Sequence, residues 1–149
     1  MPLLRRNRPL RGNYPRTANE VLDPPMGFNS KAANVVSAFA RNRPWTGDVI
    51  SKRQILHDQL CKVYRVNPIL QFGVGVGSYY DPKKNLIMLN STSVITQFHE
   101  FAHALNGSDE EYAVRWSLNM FREHFPLSFS RLRFKGHLAL KPVRKRFKK

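Results

Sequence analysis

The chain has 149 residues and carries 25 lysines and arginines against 10 aspartates and glutamates, a formal charge of +15. That length supports one domain around one core. Its single cysteine, Cys61, excludes an intrachain disulfide, and no apolar run approaches the roughly 20 residues a membrane-spanning helix needs.

The charge is concentrated at the two ends. Residues 1–19 hold five arginines and no acid, and residues 131–149 hold nine lysines and arginines and no acid, so the ends carry 14 of the 25 basic groups. Ends of this kind attract phosphate backbones by releasing condensed counterions, which makes nucleic acid an expected partner. MPLLRRNRPLRG is broken by arginine and proline where a secretory signal needs an apolar core. The expectation is a soluble intracellular (cytoplasmic) protein, or one packaged into a particle made inside a cell. No membrane partner is expected.

In chain order, residues 1–28 read as an extended basic arm, with Pro2, Pro9, Pro15, Pro24 and Pro25 and little apolar periodicity. A folded domain is expected over 29–130, followed by a basic tail over 131–149 whose last stretch, KPVRKRFKK, is expected to be disordered. SKAANVVSAFARN predicts a short helix from Asn29 or Ser30, with Val35, Val36 and Phe39 on one side. SKRQILHDQLCKVYRV predicts a second amphipathic helix with Ile55, Leu56, Leu60, Val63 and Tyr64 at helical spacing, ended by Asn67-Pro68.

ILQFGVGVGSYY is rich in β-formers and glycine. The turn Asp81-Pro82-Lys83-Lys84-Asn85 separates it from LIMLN, which predicts a hairpin. The alternating glycines lack the spacing of a phosphate-binding loop. A helix is expected from Ser91 or Ser93 to Leu105, with Gly107 suited to its cap and Ser108 or Asp109 to the next N-cap. DEEYAVRWSLNMFREHF is then a helix with Ala113, Trp116, Met120 and Phe121 inward, ended by Pro126. Together these elements predict an α+β fold.

QFHEFAHALNGSDEE spans residues 97–111. Residues four apart share a helix face, so His99 and His103 can aim both imidazoles at one point, a spacing suited to Zn2+. Glu100 lies about 100° round from His99 and is placed to reach a water at the metal as general base. No lysine or arginine occurs from 85 to 114. A catalytic zinc takes three protein ligands and one open position, and the third is expected from the next helix as it folds back. Asp109, Glu110 and Glu111 all occupy that zone, and spacing alone does not choose between them. Two histidines hydrogen-bonded within a core are the structural alternative.

FHEFAHAL followed by EEYAVRWS resembles the glutamate zincins, most closely the ImmA/IrrE-like metallopeptidases associated with phages and mobile elements. These pair H-E-x-x-H with a later E-x-x-A motif, matched here by Glu110 and Ala113, with Trp116 and Ser117 in the following aromatic and small places. SYYDPKKNLIMLN is similar to the edge-strand hairpin of that family. The resemblance covers about residues 70–120. It departs in the shorter gap between His103 and Glu110 and in Val114, where the family has Asp or Asn.

The resemblance implies a small zincin-like domain. In it a β-hairpin packs on the H-E-x-x-H helix, and an antiparallel helix brings Glu110 as third ligand, with Glu111 as the alternative. A metzincin-like pattern would use Asp109 instead, but it requires glycine where this chain has Asn106. The implied activity is zinc-dependent hydrolysis of a protein or peptide substrate, with Glu100 as the base. The alternative is a zincin-like binding or virion structural protein that acts through its basic termini. Tyr79, Tyr80, Tyr112 and His124 are candidate oxyanion donors, and His57 and His137 are expected to have no metal role.

Overall fold

The computed structural model describes residues 16–22, 26–27, 29–75, 77–135 and 138–140. Strand β1 (Arg16–Thr17) leads into helix α1 (Ala18–Leu22), which begins on a capping box. The Thr17 amide donates to Glu20 Oε1 at 2.7 Å and the Glu20 amide donates to Thr17 Oγ1 at 3.2 Å. Helix α2 (Ser30–Arg41) starts on Asn29, whose Oδ1 accepts the amides of Lys31 and Ala32. It buries Ala32, Val36 and Phe39.

Helix α3 (Val49–Tyr64) starts on Asp48 and ends at Arg65 in the left-handed region, φ 57°. Its buried face differs from the expected one. Ile55 is 55% exposed, while Arg53 and His57 lie inside with Leu56 and Leu60. The two polar side chains are accommodated because carbonyl oxygens await them: Pro44 O for Arg53 Nη1 at 2.8 Å, and Pro68 O for His57 Nε2 at 2.7 Å. Such partners offset part of the cost of burying a polar group, while Arg53 Nη2 and His57 Nδ1 have no hydrogen-bond partner among the described residues.

Strands β2 (Ile69–Phe72), β3 (Tyr79–Asp81) and β4 (Leu86–Leu89) form a sheet in the order β2-β4-β3. Only Tyr79–Asp81 makes the expected hairpin with LIMLN, pairing antiparallel to β4. Ile69–Phe72 runs parallel to β4 on its other side. Between β2 and β3 the chain crosses the width of the strand that later inserts there, roughly 10 Å. Local alternation carries no information about that insertion.

Helices α4 (Val94–Asn106) and α5 (Glu110–His124) follow, then α6 (Pro126–Ser130). Ser93 caps α4 and Asp109 caps α5, each side chain accepting an amide three residues on. Gly107 closes α4 at φ 85°, its amide bonded to His103 O. The two helices pack from the turn, where His103 meets Glu110, to Phe98 and Phe101 against Trp116, with ring centroids 6.2 and 5.9 Å apart. Tyr64 of α3 joins this cluster through Phe101 and Trp116. Aromatic contacts of this kind contribute about 0.5–1.5 kcal/mol each beyond area burial. Ala113, Trp116, Met120 and Phe121 are buried as expected.

The terminal segments depart from the expected arm and tail. Ala18, Val21 and Leu22 are buried in the core, and β1 pairs with β5 (Arg133–Lys135), which pairs with β6 (Leu138–Leu140). Thr17 lies opposite Arg133. The apolar residues of α1 find their groove only in the assembled fold. The remaining basic ends, 1–15 and 141–149, and His137 lie outside the described residues. Among the described residues no helix is long and apolar enough to cross a membrane.

Candidate metal centre

Helix α4 presents two faces with different chemistry. Phe98, Phe101 and Ala102 are buried against α3 and α5, while the side chains of His99 and His103 remain 20% and 14% exposed. The rings meet at 76° with centroids 4.9 Å apart, as expected for residues one turn apart on a helix. Gly107 lets the chain reverse at once, which returns the first turn of α5 to the end of α4.

Asp109, Glu110 and Glu111 then have different places. The Asp109 carboxylate is committed to the cap and accepts the Tyr112 amide at 3.1 Å. Glu110 turns to the histidines. Its Oε2 lies 2.8 Å from His99 Nε2 and its Oε1 lies 3.0 Å from His103 Nε2. Glu111, about 100° further round the helix, is exposed and belongs to no metal-competent cluster among the described residues. His99, His103 and Glu110 offer three ligand atoms within 4.8 Å of one another.

The hydrogen-bonding pattern around His103 fits a cation at this point. Its Nδ1 lies 2.8 Å from Gly107 O, and a carbonyl oxygen only accepts, so Nδ1 carries a hydrogen. Its Nε2 faces a second acceptor, Glu110 Oε1. A neutral ring has one N–H, so here its Nε2 lone pair would oppose a carboxylate. Either a second proton or a metal ion relieves that opposition. Two imidazoles and a carboxylate suit Zn2+, and a carbonyl on the distal ring nitrogen is the usual support for a histidine ligand. Ligand atoms at about 2.0–2.1 Å from a tetrahedral ion stand roughly 3.3 Å apart, a little more than the 2.8 and 3.0 Å that separate the Glu110 oxygens from the two imidazoles.

Glu100 is buried, 8% exposed, on the same helix. Burial pushes its carboxyl up to about 7, with His103 pulling it down and Glu110 adding to the rise. A group with that value can both accept and release a proton near neutrality.

The oxyanion candidates separate by position. The Tyr80 hydroxyl donates to Asn85 Oδ1 at 2.8 Å and is tied to the β3–β4 turn. Tyr79 is 46% exposed on the edge strand. Tyr112, half-buried in the first turn of α5, is raised above the ordinary tyrosine range by burial. His124 lies fourteen residues past Glu110, about 21 Å along the helix axis, and is excluded. His57 packs at right angles to Phe101 and belongs to no metal-competent cluster among the described residues. Cys61, pushed up to about 11 by burial, stays a thiol.

Sequence reasoning did not find the Gly107 carbonyl, because the Asn-Gly-Ser stretch reads only as a helix stop. It also missed Arg53 and Gln97, whose partners come from other segments. Comparison of the chain with protein-family models, curated proteins and solved structures returns no match, so a functional assignment rests on the geometry of this site.

Proposed function

We propose that this chain is a zinc-dependent peptidase on a small zincin-like domain, in which His99, His103 and Glu110 hold the ion and Glu100 is the general base. The observation that carries the proposal is the Glu110 carboxylate, which offers one oxygen to each histidine Nε2. When bound, zinc supplies the positive charge that polarises a peptide carbonyl and acidifies water. The chain supplies the rest. Gly107 O fixes the His103 ring through Nδ1–H, leaving the Nε2 lone pair for the ion. The Glu100 carboxylate takes the proton of the attacking water and passes it to the leaving amine nitrogen. Its burial excludes bulk water, which would otherwise compete for that proton.

Metal analysis of protein purified without chelators tests the proposal. About one zinc per chain is expected, lost in His99→Ala and His103→Ala. Glu100→Gln should keep the zinc and lower peptide hydrolysis by roughly 10²–10⁴-fold, the usual contribution of a positioned base. Wild-type protein that binds no zinc would refute the proposal.

The charge distribution favours a second role. Fourteen of the 25 basic residues lie in 1–19 and 131–149, so these ends are proposed to bind nucleic acid, either beside catalysis or in place of it. The affinity should fall steeply with salt and disappear when residues 1–15 and 141–149, which hold ten of those fourteen basic groups, are trimmed. A Glu100→Gln protein that keeps its full biological role would mean that binding, and not hydrolysis, is the function.

A further inference from the structure

Arg53 is 1% exposed, and among the described residues no carboxylate pairs with it. Burial lowers it to about 10, still far above neutrality, so it is charged inside the core. A buried charge of this kind is costly, and an apolar residue of similar size is often more stable in its place. Its value must therefore lie in what it connects.

Three segments meet at this residue. Nη1 donates to Pro44 O at 2.8 Å and Nε donates to Thr92 O at 3.2 Å. The guanidinium lies over the rings of Phe39 and Trp45, 5.1 and 5.2 Å from their centroids. The backbone carbonyl of Arg53 accepts Gln97 Nε2 at 3.0 Å. The loop carrying Pro44 and Trp45 is itself held by Lys52, whose Nζ donates to Arg43 O and Thr46 O at 2.7 and 2.9 Å.

Two of these bonds reach the helix of the metal centre, one at its entrance and one within it. Thr92 directly precedes Ser93, the N-cap of α4, so the guanidinium holds the entrance to the helix. Gln97 stands two residues before His99, about 200° round the axis, so it ties down the back of the helix while the histidines look the other way. One bond restrains position along the axis and the other restrains rotation about it. A planar guanidinium with donors in a fixed fork can bridge two carbonyls from different segments, which an ammonium cannot do with the same geometry.

We infer that the contact between residue 53 and the His99–Glu100–His103 helix positions that helix, through the Arg53 guanidinium on the Thr92 carbonyl and the Gln97 side chain on the Arg53 backbone carbonyl. Its consequence for metal binding rests on the zinc reading. Its consequence for the helix does not.

The test uses the full chain with Arg53→Lys and Gln97→Leu, and with Leu70→Ala as a control that weakens the core in β2, away from this contact. Zinc affinity and the visible spectrum of the cobalt-substituted protein are measured on folded samples, and amide hydrogen exchange is measured without metal. Loss of a partner that orients a ligand commonly weakens a metal by about 10- to 100-fold. That loss is expected in both variants, with a shifted cobalt spectrum and faster exchange confined to α4. Leu70→Ala should lower the melting temperature and change neither metal readout.

Wild-type affinity and spectrum in both variants would overturn the inference, as would an equal change in the control. If the wild type binds neither zinc nor cobalt, the zinc reading fails and exchange alone decides: loosening of α4 alone supports the role, while uniform or absent loosening overturns it. If Arg53→Lys does not fold, Gln97→Leu, which removes the bond to the Arg53 backbone carbonyl and no charge, decides for the contact.

Discussion

Replacing Glu110 by glutamine separates the metal centre from its neighbours more sharply than any histidine change. Glutamine has nearly the same volume but no charge, and its amide cannot accept at both oxygens as the carboxylate does at 2.8 and 3.0 Å. Structural zinc sites with four ligands bind with about 10–16 kcal/mol, or roughly 3 kcal/mol per ligand. Losing one ligand should therefore weaken zinc by about 10²-fold, since each 1.4 kcal/mol is about tenfold.

Glu111→Gln is the matched control. Both glutamates sit in the first turn of α5, where either substitution removes a favourable charge–dipole interaction of about 0.3–1 kcal/mol. Competition with a chromophoric chelator gives the zinc affinity, and thermal unfolding of the metal-free proteins gives the stability. The two variants should differ about 10²-fold in affinity, with metal-free unfolding showing that both are folded under the assay conditions. Equal affinities, or a loss confined to Glu111→Gln, would refute the assignment of Glu110.

Asp109→Ala should cost about 1 kcal/mol by thermal unfolding through loss of the α5 cap, with zinc affinity close to wild type. Gly107→Ala places a side chain at φ 85°, ψ −153°, with nothing within 4 Å of its Cβ. The strain lies in the backbone alone, about 1–3 kcal/mol by thermal or denaturant unfolding, and displacement of the carbonyl that holds His103 should lower zinc affinity by roughly tenfold. His57 is held below the ordinary histidine range, chiefly by burial and against the raising effects of its Pro68 bond and of Asp58. Below about pH 6.5 the unfolded chain binds a proton there that the folded chain does not. Stability should therefore fall as pH drops through that window and be unaffected by this group above it. His57→Gln should shrink the acid slope of denaturant midpoints, and an unchanged slope would exclude this residue as its cause.

Much of the local design is visible in the letters. Asn29, Ser93 and Asp109 stand where a helix needs an acceptor for its first amides, and the four-residue spacing of His99 and His103 places two imidazoles on one face. The Thr17–Glu20 capping box was equally present, but proline on one side and arginine around it read as an arm. The three acids after the turn could not be ranked by spacing. They separate only in the folded helix pair, where Asp109 caps α5, Glu110 meets the histidines and Glu111 is exposed.

The sequence by itself therefore determined the α+β class, most of the helices, their caps and the histidine pair with its adjacent glutamate. These depend on interactions within three or four residues, which composition and spacing record directly. The tertiary structure decided the rest. It placed β4 between β2 and β3, paired Thr17 with Arg133, turned Arg53 inward to hold Thr92 and brought Glu110 over His99 and His103. Each of these is a contact between segments whose meeting depends on how the whole core packs, and a buried carbonyl waiting for a guanidinium leaves no mark in the local sequence.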